Sequence, residues 1–141
     1  MKKTAVIFWS GTGNTEAMAN EVLAGMQSTG ADAVLLSCGE VDGGMIDALD
    51  AVALGCPAMG AEVLEEEEFA PMFESIKDKL AGKKVALFGS YGWGDGEWMR
   101  TWEEDCAAAG IALACESMIC NEAPDDEAVA ACQNLGKTLA E

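Results

Sequence analysis

The chain has 141 residues, half of them hydrophobic, with 8 basic and 25 acidic side chains, no histidine and a formal net charge of -17. That length fits one ordinary domain, 1–141, with a substantial core, and the apolar content excludes wholesale disorder. Such an acid excess argues against nucleic acid, whose phosphates require Lys and Arg, and against anionic membrane surfaces. It suits a basic partner met in fast, salt-sensitive encounters, or serves solubility alone.

The opening Met1-Lys2-Lys3-Thr4-Ala5-Val6-Ile7 starts as signal peptides do, but its apolar run stops at Trp9 and enters a Gly-rich loop. With no small-residue cleavage site after a full apolar region, it reads as a first strand and the protein as cytoplasmic. No apolar run is long enough to cross a bilayer. Four further short runs follow: Ala33–Leu36, Ala51–Leu54, Val85–Phe88 and Ile111–Ala114. Short, nearly continuous apolar runs are what parallel strands covered on both faces look like.

Between these runs apolar residues recur every three or four positions, as on helices. They fall at Met18, Val22 and Met26, at Phe69, Phe73, Ile76 and Leu80, at Trp98, Trp102 and Cys106, and at Ala128, Cys132, Leu135 and Leu139. Gly110 closes the third of these helices, and Asp42 to Leu49 is a weaker candidate for another. Strict alternation implies an open α/β sheet with helices on both faces.

The six cysteines, Cys38, Cys56, Cys106, Cys115, Cys120 and Cys132, have no CxxC or other ligand spacing and read as free thiols in the core. No metal site is expected, and redox chemistry would need an imported cofactor.

Ser10-Gly11-Thr12-Gly13-Asn14-Thr15 joins the first strand to a helix, where backbone N–H groups can face an anion. No Lys follows, so this is not the GxxxxGK[ST] loop, and Glu16 stands where GxGxxG needs its third glycine. Uncharged donors alone suit a terminal monophosphate; the same residues also make an ordinary polar helix cap.

Trp9 to Thr15 resembles the phosphate loop of the short-chain flavodoxins. The resemblance continues at Gly55-Cys56-Pro57-Ala58-Met59-Gly60 and at Leu87 to Gly96, and so runs the length of the chain. It implies a flavodoxin-like three-layer α/β/α sandwich with a five-stranded parallel sheet in the order 2-1-3-4-5, the order that defines that fold. It further implies non-covalent FMN and no catalysed substrate reaction: a low-potential one-electron carrier shuttling between semiquinone and hydroquinone.

By the same resemblance, Pro57, Ala58, Met59, Gly60, Ala61 and Glu62 edge the flavin ring. Met59 covers its inner face, the Gly60 carbonyl turns toward N5 when that nitrogen is protonated, and Glu62 accepts from N3–H. Relatives often carry a polar residue where Ala61 stands. Replacing Gly60 with a β-branched residue should lower the semiquinone maximum in a reductive titration. Ser90, Tyr91, Gly92, Trp93 and Gly94 form the third loop, with Trp93 over the outer face and Tyr91 at the pyrimidine edge. Asn121 and Glu122 border the flavin, whereas helical spacing makes Trp98 and Trp102 core residues.

Lys2, Lys3, Lys77, Lys79, Lys83 and Lys84 are expected at the edge of the sheet away from the flavin. Glu62, Glu65 to Glu68, Asp95, Glu97, Glu122, Asp125 and Asp126 are expected on its side, and helix-dipole compensation accounts for part of the Glu65–Glu68 run. Such a rim disfavours an anionic reduced flavin and would dock basic-surfaced redox proteins, reductases and electron-accepting enzymes, with the carrier itself a monomer. Two alternatives remain: an FMN-dependent quinone or nitro reductase, which would oxidise NAD(P)H unaided, and a non-redox interaction module, which would refuse FMN. A receiver domain is disfavoured because Cys56 stands where a phospho-accepting Asp would be needed.

Overall fold

The computed structural model describes residues 2–60, 62–92 and 94–141. Five strands, β1 (Lys3–Phe8), β2 (Asp32–Ser37), β3 (Ala51–Gly55), β4 (Lys84–Tyr91) and β5 (Met118–Asn121), form one parallel sheet in the order β2-β1-β3-β4-β5. The helices are α1 (Asn14–Ser28), α2 (Gly43–Asp47), α3 (Phe69–Leu80), α4 (Glu97–Ala108) and α5 (Asp126–Ala140). Among the described residues no helix is long and apolar enough to cross a membrane.

Alternation along the central strands feeds two cores. Val6, Ala53, Ala86 and Phe88 face α1 and α5 through Met18, Val22, Cys132 and Leu139. Ala5, Ile7, Val52, Leu54, Val85 and Leu87 face α2, α3 and α4 through Ile46, Phe69, Phe73, Ile76 and Trp102. Every residue of β3 is buried, which is why that strand reads as unbroken apolar sequence. Gly110, at φ 79°, follows α4 in the left-handed conformation expected of a helix terminator.

One strand differs from the sequence reading. Of Ile111–Ala114, only Leu113 bridges to β4, at Val85, and regular pairing begins at Phe88 with Met118. The edge chain takes five residues where β4 takes three, so two are extruded before β5 begins. Ile111 is apolar for another reason: it is buried behind α4, its N–H donating to the Cys106 carbonyl at 2.9 Å.

All six cysteines are free. Burial pushes the Cys56, Cys106 and Cys132 thiols up to about 12, so they stay protonated and inert at neutral pH.

Candidate functional site

In a parallel sheet all carboxyl ends share one edge, and the loops leaving β1, β3 and β4 are adjacent there. They enclose a groove of about 580 Å³, within the range of cofactor pockets.

At its first wall, Trp9 N–H donates to the Gly55 carbonyl at 3.0 Å, carrying the β1–β3 ladder one residue beyond the strand. Gly13 N–H donates to Ser10 Oγ at 3.1 Å, and Gly13, at φ 95°, turns the chain into α1. Gly11, Thr12 and Asn14 line the groove, while Ser10 and Gly13 shape the loop from behind. Thr15 is 1% exposed and its hydroxyl has no hydrogen-bond partner among the described residues.

The second wall leaves β3 through Cys56, whose Sγ accepts from Glu65 N–H at 3.3 Å. Pro57, Ala58, Met59 and Gly60 line the groove. Glu62 N–H donates to the Met59 carbonyl at 2.8 Å, making Gly60 the first central residue of a turn. Nothing lies within 4 Å of where a Gly60 Cβ would be, and Gly60 is not in the left-handed region.

Glu62 departs from the expected arrangement. It has φ 53°, and it lines a smaller neighbouring cavity of about 200 Å³ with Trp98 and Trp102 instead of the main groove. Both its carboxylate oxygens are buried without a partner among the described residues, and Oε1 lies where a side chain at Gly94 (φ 88°) would otherwise stand.

Ser90, Tyr91 and Gly92 line the third wall, which is joined by Glu122. Ser90 Oγ–H donates to the Glu122 carbonyl at 2.8 Å, and Glu122 N–H donates to the Tyr91 carbonyl at 2.8 Å. Asn121 does not reach the groove. Its amide donates to the Tyr91 carbonyl at 3.3 Å and so clamps β5 to the loop. Trp9 and Ala123 also line the groove and were not among the expected contacts; Trp9 stands inside the first glycine motif, whereas Ala123 carries no signal. Ala61 and Trp93 lie outside the described residues.

Among the described residues no Lys or Arg lines the groove, and Glu122 is its one charged lining residue. Glu66, Glu67, Asp95, Glu97 and Asp125 are exposed near the same edge. Glu65 departs from the expected acidic rim. It is 6% exposed and accepts from the N–H groups of Glu67, Glu68 and Phe69 at 2.7–3.0 Å, capping α3. Burial alone would raise its pKa, but the three backbone donors prevail and hold it below the ordinary glutamate range.

A parallel sheet with glycine-rich loops around one groove at its carboxyl edge defines a doubly wound cofactor-binding protein. The Flavodoxin family model matches residues 6–135. The chain is 46% identical over 138 residues to the flavodoxin of Megasphaera elsdenii, covering 96% of each. It is 47% identical to that of Clostridium beijerinckii over 138 residues, 96% of this chain and 97% of the other. The solution structure of two-electron reduced Megasphaera elsdenii flavodoxin superposes with a TM-score of 0.89, covering 97% of this chain and 98% of that one. The chain belongs to the flavodoxin family; it binds FMN and is an electron-transfer protein serving redox partners.

Proposed function

We propose that FMN occupies the groove between the loops after β1, β3 and β4, and that the protein is a low-potential carrier passing one electron at a time. The observation that carries this reading is the Thr15 hydroxyl, buried without a partner among the described residues beside the groove-lining Asn14. Leaving such a group unsatisfied costs about 1–3 kcal/mol, a cost removed by a phosphate oxygen at the start of α1.

When bound, FMN supplies a ring that takes up and releases single electrons. Thr12, Asn14, Thr15 and the first-turn amides hold its phosphate, with the Ser10–Gly13 bond setting the loop. Met59 covers one face of the ring, and the resemblance assigns Trp93 to the other. Tyr91 flanks the pyrimidine edge. The Glu62 carboxylate, held in the neighbouring cavity with two buried oxygens that lack donors among the described residues, would have to turn into the groove to accept from ring N3–H. The Gly60 carbonyl would be the acceptor for ring N5, and a glycine at the first central turn position permits the peptide rotation that this needs.

With no cation lining the groove among the described residues and Glu122 beside it, negative charge added to the ring is disfavoured, which strengthens the carrier as a reductant. The exposed acids Glu66, Glu67, Asp95 and Glu97 present a face for basic redox proteins, docked by a monomer in the cytoplasm.

An absorbance spectrum of the FMN-loaded protein, repeated through a dithionite titration, tests the proposal. One FMN per chain and two resolved one-electron steps are expected. A protein that refuses FMN, or one that oxidises NAD(P)H unaided in steady state, would overturn it.

A further inference from the structure

Trp98 and Trp102 sit one turn apart on α4, each 1% exposed, and packing treats them alike. Their indole N–H groups do not fare alike. Trp98 Nε1–H donates to the Cys56 carbonyl at 3.1 Å, 42 residues away, whereas Trp102 Nε1–H has no partner among the described residues.

The Trp98 bond falls at a critical point of the groove. Cys56 N–H donates to Phe88 and Ala58 N–H donates to Ser90, but Pro57 between them has no N–H. The Cys56 carbonyl, at that gap, is held by the indole. A Cβ at Gly89 would overlap that carbonyl oxygen and stand 3.2 Å from Trp98 Cζ2, so glycine at 89 leaves the space in which the two meet. The same indole packs on Tyr91, with ring centroids 5.6 Å apart and planes tilted by 49°. One buried side chain thus touches the base of the Pro57–Gly60 wall and the aromatic of the Tyr91 wall.

We propose that Trp98 is a positioning residue for the flavin: its N–H fixes the Cys56–Ala58 segment relative to Tyr91 and thereby sets the spacing of two groove walls. This rests on the placement of FMN in that groove. A correctly spaced pair of walls is pre-organised for a flat ring, and losing the tie makes binding bear the cost of ordering them.

The test compares W98F with W102F, both FMN-loaded. Each keeps an aromatic ring and loses an indole N–H, but only W98F loses a hydrogen bond. W98F should raise the FMN dissociation constant about fivefold, read by flavin fluorescence, and alter the visible circular dichroism of the bound flavin. W102F should leave both unchanged, although either substitution can lower the melting temperature. Equal effects from the two variants, or W98F within about twofold of wild type and an unchanged dichroism spectrum, would overturn the inference.

Hydrogen exchange of the indole N–H groups in the unmodified protein gives a second reading that does not depend on variant folding. By reciprocity, FMN should slow exchange at Trp98 about fivefold more than at Trp102, and equal slowing would sink the idea. Failure of the unmodified chain to bind FMN would instead bring down the placement of FMN, and this inference with it.

Discussion

At the amino edge of the sheet several charged and backbone groups have found partners within the protein. Lys3 N–H donates to the Asp50 carboxylate, Lys79 pairs with Asp47, and the ammonium groups of Lys83 and Lys84 donate to the carbonyls of Leu49 and Glu141. At the carboxyl edge, the Thr15 hydroxyl and both Glu62 carboxylate oxygens are buried without partners among the described residues, and Glu62 and Glu122 hold left-handed backbone conformations. Strain and unsatisfied polar atoms both cost stability and persist where the surrounding structure holds them in place. The contrast separates an edge completed by folding from one left incomplete by folding and completed by a ligand.

Thr15→Val tests this distinction most sharply. Valine nearly matches threonine in shape and removes the unpartnered hydroxyl, so the FMN-free protein should melt no lower, and up to about 1 kcal/mol more stable. A hydrogen bond to a charged phosphate is worth about 1.5–3 kcal/mol, so FMN affinity should fall roughly tenfold or more. Calorimetric melts with and without FMN, beside a binding titration, measure both. A variant less stable without FMN but unchanged in affinity would mean that the hydroxyl serves the fold.

Glu65 stands on the same edge and belongs to the opposite class, a carboxylate satisfied within the protein. Its pKa is lowered on folding, because its three backbone donors favour the ionised form despite burial. A carboxyl of that kind stabilises the fold above its unfolded pKa, and the contribution is lost as pH falls through the folded value. Glu65→Gln should therefore cost about 1 kcal/mol at pH 7. The difference from wild type should shrink as pH falls from the unfolded glutamate range through the lower folded value, below which both side chains are neutral. FMN affinity at neutral pH should be unaffected. Denaturant melts across pH 3–7 would show it, and a constant difference would rule out the ionised cap.

Much of this was legible in the sequence, for physical reasons that also set the limits. β1, β3 and β4 lie inside the sheet with helices over both faces, so they must be apolar throughout, and they read that way. Edge strand β5 carries Cys120 and Asn121 and is only half-covered, while of the more apolar Ile111–Ala114 only Ile111 is buried, behind α4, and only Leu113 bridges to the sheet. Glycines marked the groove loops because a backbone that turns sharply or approaches closely leaves few other choices. Nothing in four consecutive glutamates identifies Glu65 as the one that folds under α3, since that depends on three N–H groups converging in space. Periodicity likewise placed Trp98 and Trp102 in the core but could not tell which indole would find a carbonyl.

The smallest expected effect comes from the completed edge. Asp47 and Lys79 pair at 3.2 Å with both side chains largely in solvent. Exposed pairs of this kind are worth about 0–1 kcal/mol, because water screens the attraction and ordering two side chains opposes it. Asp47→Asn should change stability by less than about 0.5 kcal/mol and leave FMN affinity unaltered. It removes one of 25 acids, so its remaining influence on the flavin would be electrostatic and long-range. Across the depth of the sheet that influence should vanish at physiological ionic strength, where the screening length is about 8 Å. A shift in flavin potential that persists in 0.5 M salt would therefore have to travel through the fold, and the two edges would then be mechanically coupled.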